Sequence, residues 1–172
     1  HVRPHPIAVM SATMVDEEFH ARFSATKRAY LYRILNRRPP PALDRGRVWW
    51  VAQSLDATAM HDAAQALIGH HDFTTFRATA CQAQSPMRTL DRLDVMRAGE
   101  EVHVIVEARS FLHHQVRNIV GTLILVGEGK WRRRDVANAL AARDRCVGGQ
   151  TAPASGLYLN FVGYDDLVGN RW

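Results

Sequence analysis

Arg117 is the residue whose type and position suggest chemistry most directly. It lies in segment 113–126, whose apolar residues repeat at helical spacing. On a helical wheel it falls about 100° from Val116, at the margin of the apolar stripe, with His113 and Gly121 one turn on either side. A partly desolvated guanidinium at such a margin needs a carboxylate or phosphate partner. An arginine that extends into solvent needs none, and the spacing alone allows both interpretations.

Two tyrosines lie on one face of a predicted strand in basic surroundings. The alternation of the segment places Tyr30 and Tyr32 on the same face, and Lys27, Arg28 and Arg33 lie beside them. An aromatic ring on a basic sheet can stack against an unstacked or flipped base. Packing in the core is the commoner role of a tyrosine in a strand, so both roles remain open from the pattern alone.

Basic residues are concentrated in one part of the chain. Of the 172 residues, 22 are Lys or Arg and 17 are Asp or Glu, which gives a formal net charge of +5. Segment 20–48 contains one acidic residue, Asp44, and the following basic residues: Arg22, Lys27, Arg28, Arg33, Arg37, Arg38, Arg45 and Arg47. Because arginine suits both phosphate contacts and base stacking, this segment predicts contact with nucleic acid. A coding bias towards arginine is the alternative.

Other site chemistries lack their sequence patterns. The adjacent pairs His70–His71 and His113–His114 point their side chains apart on helices and strands alike. No His-Glu-x-x-His or Cys-x-x-Cys pattern supports a metal site. There is no Gly-x-Ser-x-Gly elbow for a hydrolase and no glycine-rich phosphate loop. We therefore expect no metal and no nucleophilic serine.

Length and composition indicate one globular domain. The chain is 47% hydrophobic and 23% charged, as in ordinary folded proteins. Its longest mostly apolar run, 119–126, is far shorter than the roughly 20 residues that span a bilayer, so we expect no membrane segment. Two unpaired cysteines, Cys81 and Cys146, favour a reducing cytoplasm. The chain opens with His1 instead of Met, and we expect that its sequence is entered midway.

The predicted elements are a mixture of strands and helices. Asp56 is expected to cap the first helix, with Leu55 and Met60 at the spacing of a hydrophobic staple. Strands are predicted at 7–15, 29–35, 48–51, 90–96, 102–108 and 157–162, and helices at 57–68, 113–126 and 133–143. The adjacent hairpin through Ala98 and Gly99 favours an α+β fold with a mostly antiparallel sheet packed against helices.

Four sequence blocks resemble the TruA family of tRNA pseudouridine synthases. They occur in the family's order and span nearly the whole chain. The block His-His-x-Val-Arg-Asn-x-Val-Gly at 113–121 is very specific. The four blocks are Phe19–Arg33, Asp72–Arg77, Phe111–Gly121 and Ala152–Leu159.

The resemblance implies the fold of the C-terminal domain of such an enzyme and a defined reaction. Uridine would be isomerised to pseudouridine in the anticodon stem-loop of tRNA, at positions 38–40. The enzyme would act as a cytoplasmic homodimer without an organic cofactor or metal. The reaction requires a flipped base, a carboxylate close to it and the exclusion of water.

The resemblance also assigns roles to individual residues. Tyr30 matches the tyrosine that packs against the target uracil, and Leu157 matches the apolar residue that lines the uracil pocket. Arg117 matches the arginine that pairs with the nucleophilic aspartate. The basic residues that we expect to contact RNA are Arg22, Lys27, Arg28 and Arg33.

The nucleophilic aspartate itself is missing from the sequence. In the family it lies in a Gly-Arg-Thr-Asp stretch upstream of these blocks, and the partial look-alike at 88–91 lacks the glycine and places its acid one residue late. We therefore expect residues 1–172 to form a single C-terminal domain that is inactive alone, with the aspartate in an N-terminal domain. The alternative is a stand-alone, non-catalytic RNA-binding module.

Overall fold

The computed structural model describes residues 5–164. The protein is an α+β fold built on a six-stranded, mostly antiparallel sheet, as predicted. The strands are β1 Lys27–Leu35, β2 Trp49–Trp50, β3 Gly69–Asp72, β4 Met87–Ala98, β5 Glu101–Ala108 and β6 Leu157–Gly163. The helices are α1 Ala57–Ala64, α2 Gln115–Gly127 and α3 Arg133–Ala142, and single 3-10 turns cover 65–67, 74–76, 145–147 and 154–156.

Strand β1 organises the sheet because both of its edges are paired. The sheet runs β2-β1-β5-β4-β3, and β6 also pairs with β1. β6 and β2 share one edge of β1. β6 pairs with the first part of β1, and β2 pairs with the last two residues of β1. Only the β1–β2 pairing is parallel among these strands. In this register Tyr30 lies opposite Val106 and Leu159, and Tyr32 lies opposite Leu157.

The core lies between one face of the sheet and the helices. Along β5 the alternate residues Val102, Val104 and Val106 are fully buried, as expected for a strand with one covered face. They belong to the same buried cluster as Ile119 of α2 and Met60 of α1. Consequently α2, which carries Arg117, is buried in this core along most of its length.

Most predicted elements are confirmed, with differences at their ends. The Asp56 carboxylate caps α1 by accepting a hydrogen bond from the Ala59 backbone N–H at 2.9 Å. The predicted strand at 7–15 is wrong, because this segment has no strand partner and no regular structure. Its apolar side chains are exposed, Met14 by 97%. An apolar run without a paired backbone does not form a strand.

One strand was absent from the prediction. β3, Gly69–Asp72, pairs antiparallel with the start of β4, although its sequence Gly-His-His-Asp lacks strand-forming residues. Among residues 5–164 no helix is long and apolar enough to cross a membrane.

Candidate functional site

A cleft of about 940 Å³ opens between the start of β1, the first residue of β6 and the first turn of α2. Its lining combines aromatic and apolar side chains with five arginines: Arg22, Arg28, Arg88, Arg109 and Arg117. No aspartate or glutamate of residues 5–164 lines it. The cleft is therefore strongly cationic and suited to an anionic ligand.

Arg117 is partly buried and held in place by two acceptors. Its Nε donates to the backbone oxygen of Ala152 at 2.6 Å, and its Nη1 lies 3.1 Å from Nε2 of His114. A guanidinium carries five N–H donors, so three remain for a ligand. No carboxylate of the described residues forms an ion pair with it.

The acceptor at Ala152 is positioned by a close approach between α2 and the loop 148–152. A Cβ on Gly121 would lie 1.7 Å from the backbone oxygen of Gln150, and a Cβ on Gly149 would lie 2.5 Å from the Gly121 oxygen. Only glycine fits at both positions. The space beside Gly121 is thus occupied by the backbone of Gln150 and Ala152. This packing places the Ala152 oxygen within hydrogen-bond distance of Arg117.

A buried amide fixes the same loop from the other side. The Asn118 side chain, 1% exposed, donates to the Phe76 oxygen at 2.9 Å. Its Oδ1 accepts from Thr151 Oγ1 at 2.7 Å and from Arg145 Nη2 at 3.2 Å. The position of the Arg117 acceptor is therefore set by a network of satisfied hydrogen bonds.

The two tyrosines of β1 have different roles. Tyr30 is partly buried, lines the cleft and packs edge-on against Phe111 with ring centroids 5.1 Å apart. Tyr32 is fully buried, and its hydroxyl donates to the Pro153 oxygen at 2.6 Å. Burial raises the pKa of Tyr32, with a smaller opposing effect from the Arg117 charge. Leu157 lies opposite Tyr32 and also lines the cleft.

The four predicted RNA-binding residues divide into two pairs. Arg22 and Arg28 line the cleft, and Arg28 donates to the backbone oxygens of Arg22 and Arg109. Lys27 and Arg33 do not line it. Lys27 forms an ion pair with Glu107, and Arg33 makes a bidentate pair with Glu101 at 2.6 and 2.9 Å.

Several residues that line the cleft were not predicted from the sequence as site residues. Arg88 and Arg109 lie at the start of β4 and directly after β5, so only the folded sheet brings them to α2. Cys81 also lines the cleft and accepts a hydrogen bond from the His113 backbone N–H at 3.4 Å. Burial alone would raise the pKa of this thiol, but backbone N–H groups of Ala83 and His113 and nearby arginines outweigh it, and the pKa is lowered.

His114 also lay outside the predicted site and makes direct contact with Arg117. The expectation that His113 and His114 point apart is wrong: both lie in a turn before α2, where neither helix nor strand geometry applies, and their ring centroids are 3.9 Å apart. Burial lowers the pKa of His114, and the positive charges of His113 and Arg117 lower it further. Within residues 5–164 no three His, Cys, Asp or Glu side chains cluster as metal ligands would.

Comparisons with known proteins show the family of the chain. The tRNA pseudouridine synthase family matches residues 63–165. A protein named tRNA pseudouridine synthase A from Paramagnetospirillum magneticum is 65% identical over 164 residues, 95% of this chain and 64% of the relative. A protein of the same name from Azorhizobium caulinodans is 62% identical over 168 residues, 98% of this chain and 65% of the relative.

The chain therefore belongs to the tRNA pseudouridine synthase family. It spans about two thirds of the length of these relatives, 64% of the first and 65% of the second. A third relative with this name, from Rhodospirillum centenum, is 62% identical over 95% of the chain.

Proposed function

We propose that this chain is the part of a tRNA pseudouridine synthase that binds RNA and forms one side of the base pocket. The whole enzyme would convert uridine to pseudouridine at positions 38–40 of the anticodon stem-loop. The observation that carries the proposal is the acid-free cationic cleft, which brings together Tyr30, Leu157 and the unpaired donors of Arg117. It is the combination that a flipped base and its backbone phosphates require.

The nucleophile is proposed to come from outside these 172 residues. Arg117 keeps three N–H donors in a rigid fork that matches a carboxylate. No aspartate or glutamate of the described residues lines the cleft to use them. We propose that an aspartate in an N-terminal domain docks there, attacks the uridine and pairs with Arg117. Measurable pseudouridine formation by the isolated 172-residue chain would contradict the proposal that the nucleophile lies outside it.

The base and the RNA backbone are proposed to contact different residues. Tyr30 would pack on the uracil ring and Leu157 would close the pocket on its apolar side. Arg22, Arg28 and Arg109, which line the cleft, would contact phosphates. Lys27 and Arg33, already paired with Glu107 and Glu101, would contribute mainly to the field around the RNA. No cofactor or metal is needed, and the whole enzyme would work as a homodimer in the cytoplasm.

Salt dependence of RNA binding tests the proposed interface. Binding of an anticodon stem-loop to the 172-residue chain is measured by fluorescence anisotropy at several salt concentrations. Each phosphate contact removed lowers the slope of log K against log salt by about 1, so Arg22→Gln and Arg109→Gln should each show this reduction. Arg133→Gln, an exposed arginine of α3 outside the cleft, is the matched control and should keep the slope.

The salt dependence tests the interface, and a second observation separates the enzyme from a binding module. An affinity that does not change with salt would reject an arginine–phosphate interface altogether. Salt-dependent binding would fit both the synthase and a stand-alone RNA-binding module. The reading frame upstream of His1 then distinguishes them, because only the synthase needs an encoded Gly-Arg-Thr-Asp stretch.

A further inference from the structure

His114 adopts a left-handed backbone conformation that is uncommon for residues other than glycine. Its φ is 60° and its ψ is 7°, in the left-handed region. Few residues with a side chain adopt this region, and Arg143 is the only other such residue among 5–164. Arg143 ends α3, where a left-handed residue is common, whereas His114 begins a helix. Helix termination therefore explains the left-handed conformation of Arg143 but not that of His114, which lies at the cleft.

The left-handed turn at His114 accompanies a contact between its ring and Arg117. The two residues are three positions apart, and Nε2 of the imidazole lies 3.1 Å from Nη1 of the guanidinium. A guanidinium can only donate, so Nε2 must be an unprotonated acceptor and the ring proton must be on Nδ1. The contact is thus a hydrogen bond only while the imidazole is neutral.

Together, His114 and Ala152 hold two different nitrogens of the guanidinium. The Ala152 oxygen accepts from Nε at 2.6 Å and Nε2 of His114 accepts from Nη1. We propose that His114 is a positioning residue for Arg117: as a neutral acceptor it fixes the direction of the remaining N–H donors, and its protonation releases them. The catalytic consequence rests on the proposed function, whereas the hydrogen bond itself does not.

The surroundings of His114 favour its neutral form. Burial is the largest effect that lowers the pKa of His114, and the positive charges of His113 and Arg117, from the same segment, lower it further. The other elements around the cleft contribute Arg22 before β1, Arg28 and Tyr30 of β1, Cys81 and Arg88 of the segment 80–88, and Arg109 after β5, and none of these supplies a carboxylate. Burial and the positive charges of His113 and Arg117 keep the pKa of His114 below its ordinary value. Release of Arg117 is therefore expected only on acidification.

The first experiment needs no RNA and so tests the hydrogen bond independently of the proposed function. Nitrogen-15 NMR of the 172-residue chain reports the tautomer of His114 and the side-chain resonances of Arg117 as pH falls. We expect the Nδ1–H tautomer at neutral pH and a shift of the Arg117 signals that follows the titration of His114. A protonated Nε2 at neutral pH, or Arg117 signals that ignore this titration, would overturn the proposal.

The second experiment measures the catalytic consequence in the full-length synthase. His114→Ala should lower kcat about tenfold or more, because a misdirected catalytic group is costly, with KM changed less than about twofold. His114→Gln places a carbonyl oxygen near the Nε2 position and does not titrate. It should restore most of kcat and remove the loss of activity at acid pH.

Controls distinguish positioning from folding and from failure of the proposed function. His70→Gln, a change of an exposed histidine on β3 outside the cleft, should keep the wild-type pH profile. Equal kcat for His114→Ala and His114→Gln, or an acid limb of His114→Gln as steep as that of the wild type, would overturn the positioning role. If the wild-type enzyme forms no pseudouridine, the proposed function fails while the NMR result still decides the hydrogen bond.

Discussion

At the scale of single residues, the cleft depends on the shape of one side chain as well as on its charge. Arg117 uses Nε and Nη1 to bind the protein and keeps its other donors for a ligand. An ammonium group cannot satisfy the Ala152 oxygen, His114 and a carboxylate in the same planar arrangement.

Arg117→Lys is therefore expected to abolish most activity of the full-length synthase although the charge is unchanged. Loss of a bidentate, oriented partner should slow pseudouridine formation about 10²-fold or more. Single-turnover assays with a tRNA substrate measure it, and Arg133→Lys on the surface of α3 is the control. Near-normal turnover of the Arg117→Lys enzyme would show that the guanidinium fork is not required.

The sequence predicted part of this site and could not predict the rest. Arg117, Tyr30 and Leu157 stand in motifs that can be recognised without coordinates, and the structure places all three in one cleft. Arg88 and Arg109 belong to no such motif. They reach the cleft only through the pairing of β4 with β5, which a linear sequence does not display.

At the scale of elements, the packing of α2 against the loop 148–152 controls the site from a distance. The close approach at Gly121 leaves no space for a side chain, because its nearest neighbour is backbone. At Gly127 of the same helix a Cβ would lie 2.6 Å from the sulfur of Met60, and the flexible methionine side chain can move aside.

Gly121→Ala is expected to destabilise the chain by about 3 kcal/mol and to move the Ala152 acceptor away from Arg117. Gly127→Ala should cost about 1 kcal/mol or less. Urea unfolding measures both, and the Arg117 side-chain NMR signal reports the displaced acceptor. Equal stabilities for the two variants would contradict the tight helix–loop contact.

The start of α1 offers a simpler test of local structure. The Asp56 carboxylate accepts the Ala59 N–H at 2.9 Å, so Asp56→Ala should lower the free energy of unfolding by about 1 kcal/mol. Asp62→Ala, at an exposed position of the same helix, should change it by less than about 0.5 kcal/mol. Thermal or urea unfolding followed by circular dichroism compares the two, and identical losses would argue against capping.

Elements with a strong local pattern were predictable, whereas those that need a distant partner were not. α2 and the β4–β5 hairpin follow their apolar periodicity. β3 forms because Gly69–Asp72 lies beside β4, although its residues favour no strand. Segment 7–15 has the composition of a strand but no partner among the described residues, and it stays irregular.

At the scale of the whole molecule, ion pairs on the sheet face away from the core link stability to pH. Hydrogen bonding from Arg33 is the main cause that lowers the pKa of Glu101, and hydrogen bonding from Lys27 lowers that of Glu107. A carboxylate with a lowered pKa stabilises the fold above its unfolded-state pKa, and this contribution is lost as pH falls through the folded-state value.

The free energy of unfolding should therefore fall on acidification through the titration range of glutamate. Glu101→Gln should lower stability at neutral pH by about 1 kcal/mol, since both partners are only partly shielded, and should flatten the decline at acid pH. Urea unfolding at a series of pH values measures this. A decline as steep in Glu101→Gln as in the unaltered chain would assign the effect to other groups.

The two-sided pairing of β1 has a consequence for how the protein is made. Residues 27–35 leave the ribosome before their partners, which are residues 101–108 on one edge and 157–163 on the other. Until translation reaches those segments, the nascent chain exposes an open strand edge that can associate with other unfolded chains. Since Leu157 is made after Tyr30, a product that stops between them carries Tyr30 without the leucine that lines the same cleft.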